Sequence, residues 1–405
     1  DVNGELNKKI ILKVSDYRSA LIQGKFLAKK GLWVSEYRIE SGLNCGGHAF
    51  ATEGFLMGPI LEEFKKNRHT LIDITHEIYK EALKKKNKPV PVAPLKLIIT
   101  AQGGVGTYEE QEFLFSNYGI DSVGWGTPFL LVPEATNVDE HTLSLLSDSK
   151  EDDLYLSRIS PLGVPFNSLR GNTKDIEKYK DAIDGRPGSP CPKKYLQSNT
   201  EFDDKAICTA SRTFQSKKIA QLEENNLSPS EFENEYQKII EKACLCVGLA
   251  TSALKNSGAA EKVDGDGVLV CPGPNLAYFS SIVSLREMID HIYGRTNLII
   301  RKDRPNMFMK ELKLYLNYLN EEIEAEAGTP SQNRLKYYES FCHNIADGIE
   351  YYRGLFSSSN KKIFNLNFRI LKDLEMLEQE FDGVKQKIIA RGFISVDNHK
   401  LAAVD

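Results

Sequence analysis

The feature that most constrains this chain is a pattern repeated four times in its first 150 residues: a short apolar run, then a helical spacing of apolar side chains. The apolar runs cover residues 10–14, 32–39, 95–100 and 122–126, and the helical patterns cover residues 17–30, 56–86, 108–118 and 139–148. Strands that alternate with helices form parallel sheets, because each helix returns the chain to the starting edge of the sheet. The pattern therefore predicts an α/β fold, either an open sheet or a barrel.

Glycine-rich loops follow three of the predicted strands. Residues 44–48 read Asn-Cys-Gly-Gly-His, residues 103–107 read Gly-Gly-Val-Gly-Thr, and residues 124–127 read Gly-Trp-Gly-Thr. Glycine lets the backbone approach a ligand closely, and backbone N–H groups at the start of a helix bind phosphate. In parallel barrels the last two loops commonly form one phosphate site, so this pair of loops is more specific than either loop alone.

His48 lies at the carboxyl end of a predicted strand, which is the catalytic face of a parallel barrel. An imidazole there can act as a general base near neutral pH. The alternative is a histidine in a turn that is hydrogen-bonded to backbone, and the short motif alone favours that alternative.

The order of these motifs resembles the second half of the nitronate monooxygenase family, formerly called 2-nitropropane dioxygenases. FMN-dependent enoyl-acyl-carrier-protein reductases share the same barrel. The resemblance covers about residues 5–172 and ends in the segments 160–165 and 169–172. It implies strands 5–8 of a (β/α)₈ TIM barrel. A closed barrel needs eight such units, so we expect the first half to lie upstream of Asp1 or to come from a separate chain.

The resemblance also implies a role for each motif residue. His48 would be the general base or acid at the flavin, and Lys13 would lie near the flavin ring, where positive charge stabilises the reduced form. The FMN phosphate would lie at the two later loops. The FMN-binding residues expected in this way are Lys13, Gly46, Gly47, Gly103, Gly104, Gly106, Gly126 and Thr127.

Three departures from the family pattern affect the substrate more than the flavin. Pro128 stands where the family usually has arginine, and Asn44-Cys45 stands where it often has Glu-Ala. The segment between His48 and Leu95 is longer than usual.

The pattern changes after Asn172. Residues 173–210 include a stretch rich in proline, serine and charge, which predicts a linker, and residues 211–405 predict a mainly helical domain. Apolar residues at helical spacing, such as Leu312, Tyr315, Leu316 and Leu319, support those helices. One further strand is predicted at residues 267–270.

Five of the seven cysteines fall within about eighty residues of this second half. Such a cluster can hold zinc or an iron–sulfur cluster, but the spacing fits no standard motif, and buried thiols are the favoured interpretation. The candidate ligands are Cys191, Cys208, Cys244, Cys246 and Cys271.

Composition excludes several classes of function. A net charge of −4 offers no general attraction to nucleic acid or an anionic membrane, and no apolar run approaches the roughly 18 residues that would span a bilayer. Seven cysteines in 405 residues do not make a disulfide scaffold, so we expect reduced thiols and a cytoplasmic protein. Neither the G-x-S-x-G motif of serine hydrolases nor the H-E-x-x-H motif of zinc hydrolases occurs.

Three functional hypotheses follow from the sequence. The first is an FMN-dependent oxidoreductase of the nitronate monooxygenase type that acts on a small molecule, with the helical domain capping the site or forming a homo-oligomer interface. The second keeps the flavin but reduces enoyl thioesters with NAD(P)H. The third is a flavin-binding or scaffold protein without catalytic activity.

Overall fold

The computed structural model describes residues 8–49, 53–260, 265–299, 301–326, 328–357 and 364–394. The chain folds into two compact units. The first unit comprises Asp1–Leu43, Ala51–Gly124 and Lys302–Asp405, and the second comprises Asn44–Phe50 and Trp125–Arg301. The chain therefore leaves the first unit and later returns to it, whereas the sequence predicted divisions after residues 172 and 210.

The first unit contains a four-stranded parallel sheet in the order β1-β2-β3-β4. The strands are β1 (Ile10–Val14), β2 (Val34–Glu40), β3 (Ile98–Gln102) and β4 (Ser122–Gly124), and the helices between them are α1 (Tyr17–Lys29), α2 (Met57–Lys85) and α3 (Tyr108–Tyr118). The prediction of four parallel strands with alternating helices is confirmed. Within the described residues these strands form an open sheet, so closure into a barrel is not confirmed.

Capping residues fix where the helices of this sheet begin and end. The Asp16 carboxylate accepts the Ser19 N–H at 2.6 Å and begins α1, and the Thr107 hydroxyl accepts the Glu110 N–H at 3.3 Å and begins α3. Gly119 ends α3 in the left-handed conformation, with φ of 62°. These local signals set the positions of the loops that follow the strands.

The second unit contains a two-stranded antiparallel sheet and six helices among its described residues. The strands are β5 (Leu154–Ser157) and β6 (Phe166–Leu169), and the helices are α4 (Glu140–Asp148), α5 (Thr173–Ile183), α6 (Arg212–Glu223), α7 (Pro229–Ile240), α8 (Leu245–Asn256) and α9 (Leu285–Ile292). Its largest apolar cluster includes Leu131, Leu276, Tyr278 and Met288. Helix α5 takes up the first part of the predicted linker, and an irregular segment follows it up to α6.

The predicted strand at residues 267–270 is wrong. These residues are buried but have no strand partner, because their backbone bonds to helix ends instead. The Lys174 N–H donates to the Val268 carbonyl at 3.2 Å, and the Leu269 N–H donates to the Gly248 carbonyl at 2.9 Å. An apolar run of this length satisfies burial equally well as a strand or as a buried irregular segment.

Three long helices complete the first unit: α10 (Met307–Ala325), α11 (Gln332–Ser357) and α12 (Phe364–Ala390). Helices α10 and α11 both pack against α12 and against α2. The predicted stripe of Leu312, Tyr315, Leu316 and Leu319 is fully buried, which confirms the helical prediction. None of the described helices is both long and apolar enough to cross a membrane.

The start of α2 is capped by a residue distant in sequence. Helix α2 has no capping side chain of its own, and both carboxylate oxygens of Glu311 on α10 accept the Met57 N–H, at 2.9 and 3.1 Å. The Tyr352 hydroxyl accepts the Gly58 N–H at 3.1 Å. Burial raises the pKa of Glu311 to about 7. A buried carboxyl thus fixes the beginning of the helix that precedes β3.

Candidate functional site

The predicted site residues divide between the two units. Lys13, Gly103, Gly104 and Gly106 belong to the first unit. The residues of the second unit are Gly46, Gly47, His48, Gly126 and Thr127. Each group is described within its own unit.

Lys13 forms an ion pair at the carboxyl edge of the parallel sheet. Its ammonium group contacts the Glu40 carboxylate, which is nearly buried, whereas the Lys13 side chain is about half exposed. The Gln102 side-chain amide also donates to Glu40, at 3.4 Å. Glu40 and Gln102 are paired in register as the last residues of β2 and β3. The sequence interpretation missed both, although their positions at adjacent strand ends were a usable signal.

The turn after β3 depends on two glycines. Gly103 and Gly104 have φ angles of 97° and 77°, which belong to the left-handed region that favours glycine. A Cβ at Gly104 would lie 2.4 Å from the Leu43 side chain. The turn is therefore closed to side chains at Gly104.

Just after this turn, the Gly106 N–H donates to the Glu110 carboxylate. The distance from the Gly106 nitrogen to Glu110 Oε2 is 2.9 Å. Arg304 holds that carboxylate through two nitrogens at 2.8 Å each and donates to the Gly104 carbonyl at 3.1 Å. The Met307 N–H adds a further bond to Glu110 at 2.8 Å. The anion position at the start of α3 is thus filled by the protein's own carboxylate.

His48 is held by Ser160 in the second unit. The distance between His48 Nε2 and Ser160 Oγ is 2.7 Å, and the imidazole edge packs on the Phe166 ring with centroids 5.0 Å apart. Ser160 is fully buried, and its oxygen also accepts the Leu162 N–H at 3.2 Å. Either atom can be the donor of this bond, depending on which ring nitrogen carries the proton.

Two asparagines fix the turn that presents His48. The side-chain oxygen Oδ1 of Asn44 accepts from the Gly46 N–H at 3.1 Å and from the Asn167 side-chain amide at 2.8 Å. The Asn44 amide donates to the His48 carbonyl at 2.8 Å, and the Asn167 backbone N–H donates to the Gly47 carbonyl at 2.9 Å. Ser160 and Asn167 lie more than a hundred residues from this turn, and no local signal predicted their contact with it.

The two glycines before His48 have different surroundings. A Cβ at Gly46 would lie 2.0 Å from the Cys271 carbonyl oxygen, so Gly46 is required by packing. A Cβ at Gly47 would meet no atom within 4 Å, although its φ of 77° still favours glycine. Of the pair, Gly47 is the residue whose backbone a ligand can approach.

Thr127 has no proton left for a phosphate. Its hydroxyl donates to the Cys45 carbonyl at 2.8 Å and accepts the Gly273 N–H at 3.0 Å. A hydroxyl has a single proton to donate, and Thr127 itself is buried. A Cβ at Gly126 would lie 2.9 Å from Cys45 Cβ, so this glycine also serves close packing.

The described residues therefore fit FMN in part. In the first unit, the Gly103-Gly104 turn has the backbone form of an anion site. In the second unit, His48 follows the open Cβ position at Gly47. Gly106, Thr127 and Gly47 use their polar hydrogens inside the protein.

The predicted metal candidates do not act as one group. Cys191, Cys208, Cys244 and Cys246 interact with one another, whereas Cys271 accepts a hydrogen bond from the Gly47 N–H. Burial raises the pKa of Cys271. Among the described residues, no three His, Cys, Asp or Glu side chains are placed where they could hold a metal ion.

Comparison with known proteins gives little further information. No family model matches this sequence, and no curated protein sequence matches it. Among solved structures, the chain is similar to a mutant of FabK from Thermotoga maritima, with a TM-score of 0.33 and 12% sequence identity. The likeness covers 77% of this chain and 63% of the FabK chain, so the chain spans less than two thirds of that protein. Values this low establish neither a shared fold nor a shared activity.

Proposed function

We propose that this chain is an FMN-dependent oxidoreductase of the nitronate monooxygenase type. The observation that carries the proposal is the turn at Gly103 and Gly104, which directly follows β3 and has two successive positive φ angles. Successive backbone N–H groups in such turns form concave sites for anions. The order of the motifs along the sequence supplies the rest of the support.

In this proposal the first unit binds the phosphate of the cofactor. The Gly103-Gly104 turn would hold it, and Lys13, which is paired with Glu40, would lie near the flavin ring. Gly46, Gly47 and Gly126 remain FMN-binding residues expected from the family resemblance alone. When bound, FMN supplies a group that accepts a hydride or electrons from the substrate.

His48 is the proposed proton-transfer residue. Ser160 fixes the direction of the imidazole through Nε2, and in the tautomer in which Nε2–H donates to the Ser160 hydroxyl, Nδ1 is the nitrogen that can take up a proton. A base that is fixed in this way loses little entropy when the substrate binds. His48 would remove a proton from the substrate or return one to it.

Absorbance spectroscopy tests the cofactor. We expect the purified chain, supplied with FMN, to show protein-bound flavin absorbance after the free flavin is removed. Gly104→Ala should weaken FMN binding, because the new methyl group would lie against Leu43 and distort the turn. Gly119→Ala is the matched control, since Gly119 also has a positive φ but its Cβ position is open. A wild-type protein that stays colourless with added FMN would rule the proposal out.

Anaerobic mixing tests the substrate class. Reduction of the bound flavin by a nitronate, but not by NADPH, supports the monooxygenase. Rapid bleaching by NADPH would instead assign the chain to the enoyl-thioester reductases. Bound flavin that neither reagent reduces would favour a non-catalytic role.

A further inference from the structure

We propose that the edge of the parallel sheet at which its strands begin is a docking surface for an anionic lipid membrane. Because the strands are parallel, the segments that lead into β1, β2 and β3 all lie at this edge of the first unit. These segments and the adjoining helix ends carry nine exposed lysines, which we call the lysine edge: Lys8, Lys9, Lys29, Lys30, Lys84, Lys85, Lys86, Lys88 and Lys96.

Backbone contacts bring the three segments together. The Lys86 ammonium group, at the end of α2, donates to the Lys30 carbonyl at the end of α1, at 2.6 Å. The Trp33 indole N–H, just before β2, donates to the Lys96 carbonyl before β3, at 3.2 Å. Strand β1 begins directly after Lys9 and pairs with the start of β2. The lysines therefore share one edge although almost 90 residues separate the first from the last.

Most of these charges have no counter-ion in the described part of the chain. Lys84 is paired with Glu81, and it is the one member of the lysine edge with an ion pair among the described residues. Asp121, which precedes β4 at the same edge, is already paired with Arg68. The whole chain has a net charge of −4, so net charge, from which the sequence predicted no attraction to anionic membranes, does not describe this surface.

Helix stability explains part of the lysine edge only. Cations in the last turn of a helix interact favourably with the helix dipole, which applies to Lys29, Lys84 and Lys85. The lysines that precede β1, or that lie between α2 and β3, are outside any helix. Like charges gathered in this way repel one another in the free protein, and an anionic surface relieves that repulsion.

Exposed apolar side chains at the same edge favour a membrane over other polyanions. Phe26 is 59% exposed, and the Lys30 ammonium group lies 5.6 Å from the centroid of its ring. Leu32 is exposed before β2, and Val92 is completely exposed in the proline-rich loop of residues 88–96. A bilayer offers anionic headgroups to the lysines and an apolar layer beneath them to these side chains. A nucleic acid would leave the two aliphatic side chains without an apolar contact.

Docking at this edge leaves the opposite edge of the sheet open to water. The Gly103-Gly104 turn follows the carboxyl end of β3, whereas the lysine edge lies at the amino ends of the strands. The proposed membrane surface and the proposed phosphate turn are therefore independent of each other.

Sedimentation of the full chain with lipid vesicles tests the surface. At about 0.1 M salt we expect binding to vesicles with about 30% phosphatidylserine and no binding to vesicles of phosphatidylcholine alone. Raising the salt to about 0.5 M should lower the affinity by roughly tenfold or more, because screening shortens the reach of the lysine charges. Protein that stays in the supernatant with the anionic vesicles would overturn the proposal.

A triple variant removes charge without removing a contact. Its substitutions are Lys29→Gln, Lys85→Gln and Lys88→Gln, and these ammonium groups make no hydrogen bond or ion pair with the described residues. Each lysine near an anionic surface contributes about fivefold to the affinity, so we expect a loss of roughly a hundredfold.

The matched control makes the same change of charge at three exposed lysines of the first unit that lie outside the lysine edge: Lys302→Gln, Lys336→Gln and Lys372→Gln. This variant should bind the anionic vesicles like the wild type. Equal losses in the two triple variants would show that attraction depends on total charge and would overturn the assignment to this edge.

Phe26→Ala separates a membrane from other anionic partners. We expect it to lower vesicle affinity by about tenfold at both salt concentrations, because burial of an aromatic side chain is not screened by salt. An unchanged affinity, or binding of single-stranded RNA as tight as that of vesicles, would contradict the choice of a membrane. These measurements need no flavin, so their outcome is separate from that of the proposed function.

Discussion

Two buried side chains contribute to the orientation of His48. Ser160 is the hydrogen-bond partner of Nε2, and the neighbouring Phe166 ring restricts the imidazole from one side. Replacing Ser160 with alanine removes the hydrogen bond to Nε2 and leaves the contact with Phe166 in place. The contribution of the Ser160 hydrogen bond can therefore be measured separately from the packing of the imidazole ring.

We predict that Ser160→Ala lowers turnover by roughly fivefold and leaves flavin content unchanged, because one net hydrogen bond of about 1 kcal/mol is lost. His48→Gln should lower turnover by about 10²- to 10⁴-fold, the usual contribution of a general base. Steady-state kinetics with the best substrate found gives both values. Ser149→Ala is the control, since Ser149 is buried in the same unit and bonds only to the end of α4 in the described contacts. Equal losses in the Ser160 and Ser149 variants would contradict the assignment.

Glu311 should make stability depend on pH in the direction opposite to ordinary acid denaturation. Burial raises its folded-state pKa to about 7, above the value of 4.5 expected when unfolded. The stability that its protonated form contributes is therefore fully present below pH 4.5 and is lost as the pH rises through 7.

Urea unfolding of the wild type and Glu311→Gln at pH 5 and pH 8 measures this effect. We expect the wild type to lose about 3 kcal/mol relative to the variant between the two pH values, in proportion to the pKa difference. A difference between the proteins that is constant with pH would show that Glu311 titrates normally.

At the level of elements, the Arg304–Glu110 pair connects the start of α3 with the start of α10. Both side chains are almost completely buried, and Glu110 bonds to the Met307 N–H as well as to Gly106. The pair thus joins two helices whose sequences are separated by almost 200 residues.

We predict that Glu110→Ala destabilises the protein by about 3–5 kcal/mol, because it leaves the Arg304 charge buried without its partner. Replacing both residues with apolar ones should cost less than the single change. The exposed pair Glu81–Lys84 is the control, and Glu81→Ala should cost at most about 1 kcal/mol. Chemical unfolding measures all three proteins. A loss in Glu110→Ala no larger than that in Glu81→Ala would contradict the prediction.

The sequence predicted elements well where local periodicity determined them. Helix α3 begins and ends where the Thr107 cap and Gly119 indicate, and β1 matches its apolar run. The strand predicted at residues 267–270 shows the limit of such predictions. An apolar run indicates burial but does not determine whether the segment pairs with another strand. The partners of the site, such as Glu40, Ser160 and Asn167, are set by tertiary contacts between distant segments, which no local pattern records.

For the whole molecule, cofactor binding should appear as a gain in stability. A ligand that binds only the folded state adds about 2.7 kcal/mol when present at 100 times its dissociation constant. We predict that FMN raises the melting temperature, and that above the dissociation constant the rise grows with the logarithm of the FMN concentration. Riboflavin, which lacks the phosphate, should raise it much less, and thermal unfolding with each compound gives the comparison. Equal effects of the two compounds would remove the phosphate role assigned to Gly103 and Gly104.

The return of the chain to its first unit has a consequence during synthesis. The sheet of that unit is synthesised well before Arg304 and before helices α10 and α11, which pack on α2 and include Glu311. The intervening residues up to Arg301 can complete their own unit while the sheet still lacks these partners. An early segment of the nascent polypeptide therefore matures late, and until α10 and α11 have been made the apolar side of α2 is open to non-native association.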